Sequence, residues 1–313
     1  MSTAFIFPGQ GSQAVGMGKA LAENFAAARQ VFEQADEALG ESLSGLCFDG
    51  PAETLTLTAN TQPAILTCSV AALAVLRSET DIRADVCLGH SLGEYSALVA
   101  AGALSLPDAV RIVRARGEAM QAAVAPGDGG MAAVIGLDAD VVEAVCAEAA
   151  EGEVCSPANE NGGGQIVIAG SAEAVKRAIA LVKSRKGRAI PLKVSAPFHC
   201  ALMQPAADAL AAVLAPVTIG TLTVPVVSNV EATPNTDASR VKALLVEQVT
   251  HKVRWEASVQ HIAEAMGVSE AYEVGHGKVL AGLLRRIKLG PDREVRVRGV
   301  GSPEDISVLK GPR

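Results

Sequence analysis

Aromatic side chains are scarce in this sequence. They make up 3% of its 313 residues, although hydrophobic residues make up 49%. The core must therefore be filled by alanine, valine, leucine and isoleucine, which favours helices packed on a parallel sheet. A chain of this length can form one large core with a second, smaller lobe.

Positive charge is also scarce relative to negative charge, and the formal net charge is −7. A nucleic-acid-binding domain would normally carry a broad basic face, so nucleic acid is not expected as a partner. The first residues, MSTAFIFPGQGSQ, lack the basic flank of a secretory signal, and no later run approaches membrane-spanning length. The sequence therefore predicts a cytoplasmic protein without a membrane partner.

The cysteines form no CxxC pair and no cluster with histidine that is typical of a metal site. We therefore interpret them as reduced, small apolar residues, and we expect neither a metal nor a redox cofactor. The six are Cys47, Cys68, Cys87, Cys146, Cys155 and Cys200.

Strands and helices alternate over the first hundred residues. Residues 3–7, TAFIF, are typical of a buried strand that ends in the glycine-rich turn PGQGSQ. A helix is predicted from Gln62-Pro63, and the strand ADVCLGHS then leads to Ser91. This is the order of a parallel α/β sheet, so the turns that carry Gln10 and Ser91 should meet at the carboxyl edge of the sheet.

A change of composition at APGDGG, residues 125–130, is followed by the predicted order β-α-β-β-α-β. This order is that of a ferredoxin-like unit. We therefore predict a small subdomain of residues 127–195, inserted into a large α/β subdomain of residues 1–126 and 196–313.

The stretch CLGHSLGEYSAL places Ser91 between two glycines, as in a nucleophile elbow, although this pattern alone is not specific. A serine hydroxyl needs a neighbouring base, and the sequence has five histidines. His199, in SAPFHC, lies where the small subdomain rejoins the large one, and such seams line clefts. We predict that His199 is the base. His90 should point away from the serine, which favours a packing role.

An acidic residue between the serine and the histidine in the chain would complete a triad. Several acidic residues lie there, but none is in a loop that marks it as the triad acid. A backbone carbonyl can also orient an imidazole, so a dyad is an alternative. The elbow offers the Leu92 N–H as one oxyanion donor, and the PGQGSQ turn offers the Gln10 N–H as another. A plain tight turn is the other interpretation of PGQGSQ.

One arginine lies on the apolar side of its predicted helix, LPDAVRIVRARGEAMQAAV. Arg111, Arg114 and Glu118 form the charged side, whereas Arg116 falls among apolar residues and should point inward. A buried guanidinium must be paired. Its partner is either an acidic residue, in a structural salt bridge, or the carboxylate or phosphate group of a ligand.

Together these segments resemble one enzyme family, the malonyl-CoA:acyl carrier protein transacylases of fatty-acid synthesis. The matching segments, which reach to about Ile287, occur in the family's order: FIFPGQGSQ, TQPAIL, GHSLGEYSAL, RARGEAMQ, NENGGGQIVIAG, SAPFHCALM, PVVSNV and YEVGHGKVL. The resemblance implies an α/β-hydrolase-like large subdomain with a ferredoxin-like insert. The tail beyond Ile287 matches nothing in the family pattern.

The resemblance also implies roles for single residues. Ser91 would be the nucleophile of a ping-pong acyl transfer, His199 its base, and Arg116 the ligand of the malonyl carboxylate. The substrate would be a coenzyme A thioester and the partner an acyl carrier protein.

Four further positions follow from the same resemblance. The oxyanion hole would consist of the Gln10 and Leu92 amides, and the backbone carbonyl of Gln248 would orient the histidine. A bulky ring at Phe198 should crowd a methyl branch, which favours malonyl over methylmalonyl. We also expect a monomer.

Three other functions share some of these features. A serine thioesterase or hydrolase would use the same Ser91 and His199 but pass the acyl group to water. A non-catalytic acyl-CoA-binding protein would not need the intact serine and histidine. A third alternative is a carrier-protein acyltransferase for a different acyl group.

Overall fold

The structure, a computed structural model, describes residues 2–291 and 293–310. The elements up to the end of the predicted insert are β1 (Ser2–Phe7), α1 (Lys19–Asn24), α2 (Ala26–Leu39), α3 (Leu43–Asp49), α4 (Ala52–Thr56), α5 (Thr58–Glu79), β2 (Val86–Gly89), α6 (Gly93–Ala100), α7 (Leu106–Ala122), β3 (Gly129–Ile135), α8 (Ala139–Ala150), β4 (Cys155–Gly162), β5 (Gln165–Ser171), α9 (Ala172–Ser184) and β6 (Arg188–Pro191).

The later elements return the chain to the large sheet. They are α10 (Gln204–Leu214), β7 (Val226–Val227), β8 (Pro234–Asn235), α11 (Val241–Thr250), α12 (Trp255–Glu264), β9 (Val268–Val274), α13 (Val279–Leu284), β10 (Arg296–Val300) and α14 (Pro303–Leu309). Short 3-10 helices span Ala201–Met203 and Ala238–Arg240.

The large sheet has the strand order β10-β9-β1-β2-β7-β8, and all neighbours except β7 and β8 are parallel. Strands β1 and β2 lie side by side, with Phe7 opposite Gly89 at their carboxyl ends. The loops that follow them are therefore neighbours, which confirms the predicted meeting of the Gln10 and Ser91 turns.

Both faces of the large sheet are buried, as expected for parallel strands. Alternate residues of β1 face opposite sides: Phe5 and Phe7 pack into one hydrophobic cluster, and Ala4 and Ile6 into another. The Ala4 and Ile6 cluster includes Trp255, the only tryptophan of the sequence.

The insert forms a separate antiparallel sheet with the strand order β4-β5-β3-β6. Together with α8 and α9, which share its hydrophobic cluster, it has the predicted β-α-β-β-α-β order. Strand β4 runs to Gly162, and Asn159 forms a β-bridge to Val253 of the large body. The subdomain boundaries 127–195 stay a prediction.

Helix α5 begins at Thr58, four residues before the predicted start at Gln62. The prediction was wrong because Pro63, which is typical of a first turn, lies inside this helix. Proline has no N–H to donate to the carbonyl of Ala59. That carbonyl accepts a hydrogen bond from Arg114 Nη1 at 2.9 Å instead, so the helix can continue through the proline.

The same helix corrects the expectation that no run of the sequence approaches membrane-spanning length. It is long and apolar enough to cross a membrane by length and composition, with a mean hydropathy of 1.4 in its most apolar window. Of that window, 83% is buried inside the protein, as in the core helix of a globular domain.

The C-terminal tail, which the sequence left unassigned, adds an edge strand to the large sheet. Strand β10 pairs in parallel with β9, and Val300 lies opposite Val274. Helix α14 follows and buries Ile306. All six cysteines are free, and five of them are buried, in agreement with their interpretation as reduced apolar residues.

Candidate active site

The elbow that carries Ser91 depends on two glycines. A Cβ on Gly89 would lie 2.0 Å from the carbonyl carbon of Gly93, and a Cβ on Gly93 would lie 2.1 Å from the carbonyl oxygen of Phe7. No side chain fits at these distances. The close approach of β2, α6 and β1 forces Ser91 into a left-handed conformation, with φ of 51°. This strained strand-to-helix turn is the geometry of a nucleophile elbow.

The predicted base faces the serine. His199 Nε2 lies 2.8 Å from Ser91 Oγ, and His199 Nδ1 lies 2.9 Å from the backbone carbonyl oxygen of Gln248. Because a carbonyl oxygen can only accept, Nδ1 carries the proton and Nε2 is left with its lone pair toward the serine. The structure thus brings together Ser91, His199 and Gln248 in the arrangement of a serine–histidine dyad whose histidine is oriented by a main-chain carbonyl.

The environment keeps this imidazole neutral. Burial, and after it the nearby positive charge of Arg116, lowers the pKa of His199 to about 3. A neutral imidazole is the form that can accept a proton from a serine hydroxyl.

The turn after β1 packs directly against the elbow. A Cβ on Gly9 would lie 2.3 Å from the carbonyl oxygen of His90, so glycine is required where the two loops touch. Within residues 2–291 and 293–310, neither the Gln10 N–H nor the Leu92 N–H has a hydrogen-bond acceptor. Two free backbone donors on adjoining loops are what an oxyanion hole needs.

Arg116 is buried, with 2% of its surface exposed, as its place on the helix predicted. Its Nη1 donates to Gln62 Oε1 at 2.8 Å, and its Nη2 donates to Gln248 Oε1 at 2.9 Å and to Ser91 Oγ at 3.3 Å. Its guanidinium carbon lies 5.4 Å from the centre of the Tyr95 ring.

No salt bridge to Arg116 occurs among the residues that the structure describes. The alternative of a structural salt bridge is therefore wrong. The Nε atom also has no hydrogen-bond partner in the described chain. A buried guanidinium held by neutral amides beside a serine is suited to binding an anion.

A cavity of about 330 Å³ opens over the serine, between the large body and the small sheet. Ser91, His199, Arg116 and Gln10 lie on the large-body side, and the ring of Phe198 also borders the cavity. The small sheet contributes an apolar and amide-bearing wall, formed by Met131, Ala133, Asn159, Asn161, Gln165 and Val167.

His90 is anchored to the small sheet and to the core. Its Nε2 lies 2.8 Å from Asn161 Oδ1, and its ring centre lies 5.7 Å from that of Trp255. The side chain also borders the cavity. His90 therefore links the elbow to the small sheet as well as packing against the core.

Sequence reasoning missed two buried polar residues near the serine, Asn229 and Glu94. Asn229 Oδ1 accepts from the Ser91 N–H at 2.7 Å, and its Nδ2 donates to the Gly89 carbonyl at 2.7 Å. Glu94 Oε2 accepts from the Asn229 N–H at 3.0 Å and from Gln248 Nε2 at 2.8 Å. Burial raises the pKa of Glu94 to about 7. Glu94 could have been found as Arg116 was, because it is the one charged residue in the apolar run GEYSALVA.

Known proteins resemble this chain in sequence. The sequence profile of the family described as "Acyl transferase domain" matches residues 4–282. A malonyl CoA-acyl carrier protein transacylase of Salmonella typhimurium is 52% identical over 285 residues, which are 91% of this chain and 92% of that protein.

Solved structures agree with the sequence match. An acyl-carrier-protein-S-malonyltransferase from Bartonella henselae superposes with a TM-score of 0.94 at 50% identity, over 98% of both chains. A malonyl-transacylase in complex with a type II PKS acyl carrier protein superposes with a TM-score of 0.94 at 42% identity, over 99% of both chains. The chain therefore belongs to the acyl transferase family, and within it to the malonyl CoA-acyl carrier protein transacylases.

Proposed function

We propose that this protein transfers the malonyl group of malonyl-CoA to the phosphopantetheine thiol of an acyl carrier protein, through a malonyl-serine intermediate. One observation carries the proposal: a buried guanidinium that has no acidic partner among the described residues, Arg116, lies beside the Ser91–His199 pair in one cavity. A serine and a histidine suit any acyl transfer, whereas a guanidinium that is held by neutral amides suits an acyl group that ends in a carboxylate.

In the first half-reaction, Ser91 Oγ attacks the thioester carbonyl while His199 Nε2 takes the hydroxyl proton. The negative charge of the tetrahedral intermediate rests on the N–H groups of Gln10 and Leu92. Collapse of the intermediate breaks the carbon–sulfur bond, and His199 returns the proton to the departing coenzyme A thiolate. The Gln248 carbonyl accepts the Nδ1–H bond and holds the ring in place during both transfers.

The carboxylate of the acyl group binds the guanidinium of Arg116. The side-chain amides of Gln62 and Gln248 hold this guanidinium by its Nη1 and Nη2 atoms. Phe198 borders the same cavity and is buried. Its ring limits the space beside the α carbon of the acyl group, so a methyl branch there should be disfavoured.

In the second half-reaction, the carrier-protein thiol attacks the malonyl-serine ester with His199 again as base, and Ser91 leaves with the returned proton. The relative solved with a type II PKS acyl carrier protein supports this choice of partner. We assign no metal or redox cofactor to the reaction. The cytoplasmic location and the monomeric state stay predictions.

The intermediate can be tested directly by intact-protein mass spectrometry. After mixing with malonyl-CoA, the wild type should gain one malonyl group on Ser91, and Ser91→Ala should gain none. An adduct on the alanine variant would contradict the assignment. Loss of the wild-type adduct in buffer, without an acceptor thiol, would instead indicate the thioesterase or hydrolase alternative.

A basic segment beside the cavity is the surface that we propose for carrier-protein docking, because acyl carrier proteins are acidic. Residues 183–193, KSRKGRAIPLK, hold five positive charges and no acid. Arg185 pairs with Glu148, whereas Lys186 and Arg188 are exposed and make no salt bridge within the described chain. Leu192 at the end of the segment borders the cavity.

Docking on this segment can be separated from chemistry by comparing two acceptors. In the variant Lys186→Glu with Arg188→Glu, transfer to the carrier protein should fall by about tenfold, more steeply at low salt, while transfer to free pantetheine is unchanged. Equal losses with both acceptors would show that the segment is ordinary solvated surface.

A further inference from the structure

A guanidinium and a carboxyl group are buried near Ser91 without a hydrogen bond between them. Arg116 and Glu94 are 2% and 3% exposed, and the amide of Gln248 lies between them. Its Oε1 accepts from Arg116 Nη2 at 2.9 Å, and its Nε2 donates to Glu94 Oε2 at 2.8 Å. The cation and the carboxylate therefore fix the amide in one orientation, since a flipped amide would point its oxygen at the carboxylate and its N–H at the guanidinium.

The same carboxylate oxygen reaches the nucleophile by a second route. Glu94 Oε2 also accepts from the Asn229 N–H at 3.0 Å, and Asn229 Oδ1 accepts from the Ser91 N–H at 2.7 Å. Gln248 Nε2 contacts the Ser91 carbonyl at 3.1 Å. Hydrogen bonds to its backbone N–H and to its backbone carbonyl thus hold Ser91 in its left-handed conformation.

A capping role in its own helix does not account for Glu94. It is the second residue of α6, where a carboxylate often accepts from the first amides of the helix. Its hydrogen bonds instead go to Asn229, which follows β7, and to Gln248 on α11. Both partners are buried, so removing the acceptor would leave two donors unsatisfied next to the reacting groups.

From these contacts we infer that Glu94 is a positioning residue of the transfer reaction. Through Asn229 it sets the conformation of Ser91, and through Gln248 it sets the place of Arg116. Gln248 in turn holds His199 by its backbone carbonyl. This role rests on the proposed malonyl transfer, but Glu94 itself contacts neither the serine hydroxyl nor the imidazole within the described structure.

A double-mutant cycle tests this chain of contacts. The variants are Glu94→Ala, Gln248→Ala and the pair, and the readout is the rate of Ser91 malonylation in a single turnover. The Gln248 variant keeps its backbone carbonyl for His199. Each single change should slow malonylation about 10-fold to 100-fold, and the pair should be no more than about threefold slower than the slower single variant, because Glu94→Ala already breaks the route through Gln248.

Glu273→Ala is the matched control. Glu273 is also a fully buried glutamate, and its two oxygens accept from the N–H groups of Leu280 and Ala281, at 2.8 Å each. It has no contact with Asn229 or Gln248 in the described chain. Its effect on the rate should therefore multiply with that of Gln248→Ala.

A second readout excludes a merely structural role. Because Gln248 holds Arg116, and only malonyl has a carboxylate for Arg116, Glu94→Ala should lower the ratio of malonyl to acetyl transfer at least threefold. Glu273→Ala should leave this ratio unchanged.

The outcomes separate the two proposals. If the wild type takes up malonyl but the Glu94 and Gln248 effects multiply, or the acyl ratio does not change, the positioning role is wrong and the proposed function stands. If the wild type takes up no malonyl, both are wrong. Should Glu94→Ala fail to fold by circular dichroism, the cycle is run with Glu94→Gln, a weaker acceptor, under the same criteria.

Discussion

Arg116 Nη2 lies 3.3 Å from Ser91 Oγ, while His199 Nε2 contacts the same oxygen at 2.8 Å. The Ser91 hydroxyl therefore stands between a permanent cation and a neutral imidazole. The cation favours negative charge on the serine oxygen and disfavours a proton on the imidazole, so its two effects on the transfer of the hydroxyl proton to His199 oppose each other. The same guanidinium is placed to receive a carboxylate, which links acyl-group selection to nucleophile activation.

Replacement of Arg116 by alanine should change the choice of acyl group. Malonyl transfer should fall by about 100-fold or more, and acetyl transfer should rise relative to it, because a buried guanidinium is no longer left unpaired when the substrate lacks a carboxylate. The measurement is kcat/KM for malonyl-CoA and acetyl-CoA. Arg111→Ala, an exposed arginine of the same helix, is the control and should keep the wild-type ratio. A variant that unfolds in thermal melts would instead assign Arg116 a structural role.

Replacement of His199 by alanine should slow both half-reactions by about two to four orders of magnitude, the usual contribution of a positioned general base. Stopped-flow acylation by malonyl-CoA and deacylation by pantetheine measure the two steps separately. His261→Ala is the control, since His261 lies on α12 and does not border the cavity. A near-normal rate for the His199 variant would point to another base.

Replacement of Gly93 by alanine should destabilise the protein or prevent folding, because the added Cβ would lie 2.1 Å from the Phe7 carbonyl oxygen. Overpacking of this kind costs about 1–3 kcal/mol or more. Gly282→Ala is the matched control: it lies in helix α13, where an added Cβ meets no atom within 4 Å. That change should be neutral or raise the unfolding free energy by about 0.5–1 kcal/mol. Urea unfolding of both variants is the measurement, and equal losses would contradict the prediction.

The pH dependence of stability should contain two opposing contributions. The pKa of His199 is lowered from 6.5 to about 3, so on acidification the unfolded chain takes up this proton first and stability falls below pH 6.5. The pKa of Glu94 is raised from 4.5 to about 7, so the folded chain takes up that proton first and stability increases as the pH falls from 7 to 4.5. Each contributes about 1.4 kcal/mol per pH unit where only one state is protonated.

Between pH 6.5 and 4.5 the two effects should nearly cancel in the wild type. Glu94→Gln removes one of them, so its unfolding free energy should fall with acidification about 1.4 kcal/mol per pH unit more steeply than that of the wild type. His199→Gln should show the opposite difference. Urea unfolding at several pH values measures both, and parallel curves for all three proteins would contradict the assigned pKa shifts.

Local signals in the sequence predicted much of this molecule. The two glycines around Ser91, the apolar strand TAFIF and the inward position of Arg116 each depend on spacing within one element. The β-α-β-β-α-β insert was predictable because its strands and helices follow each other with short turns. The start of α5 was missed because the loss of one helical hydrogen bond at Pro63 is compensated by Arg114, from a different helix.

Contacts between distant segments were beyond such reasoning. Glu94 meets Asn229 and Gln248 across 135 and 154 residues of chain, and their pairing depends on how α6, α11 and the end of β7 pack together. Strand β10 was missed for another reason. Its sequence RVRGV is short and partly exposed at the sheet edge, so it has no apolar run to mark it.

The hydrogen bonds from Ser91 to His199 and from His199 to Gln248 join segments that the ribosome makes at different times, 108 and 49 residues apart. A growing chain exposes its serine well before the base and its orienting carbonyl exist. The nucleophile is then an ordinary alcohol, unable to capture an acyl group from the cellular thioester pool. On the proposed mechanism, acyl-transfer capacity therefore arises only after α11 has emerged and docked.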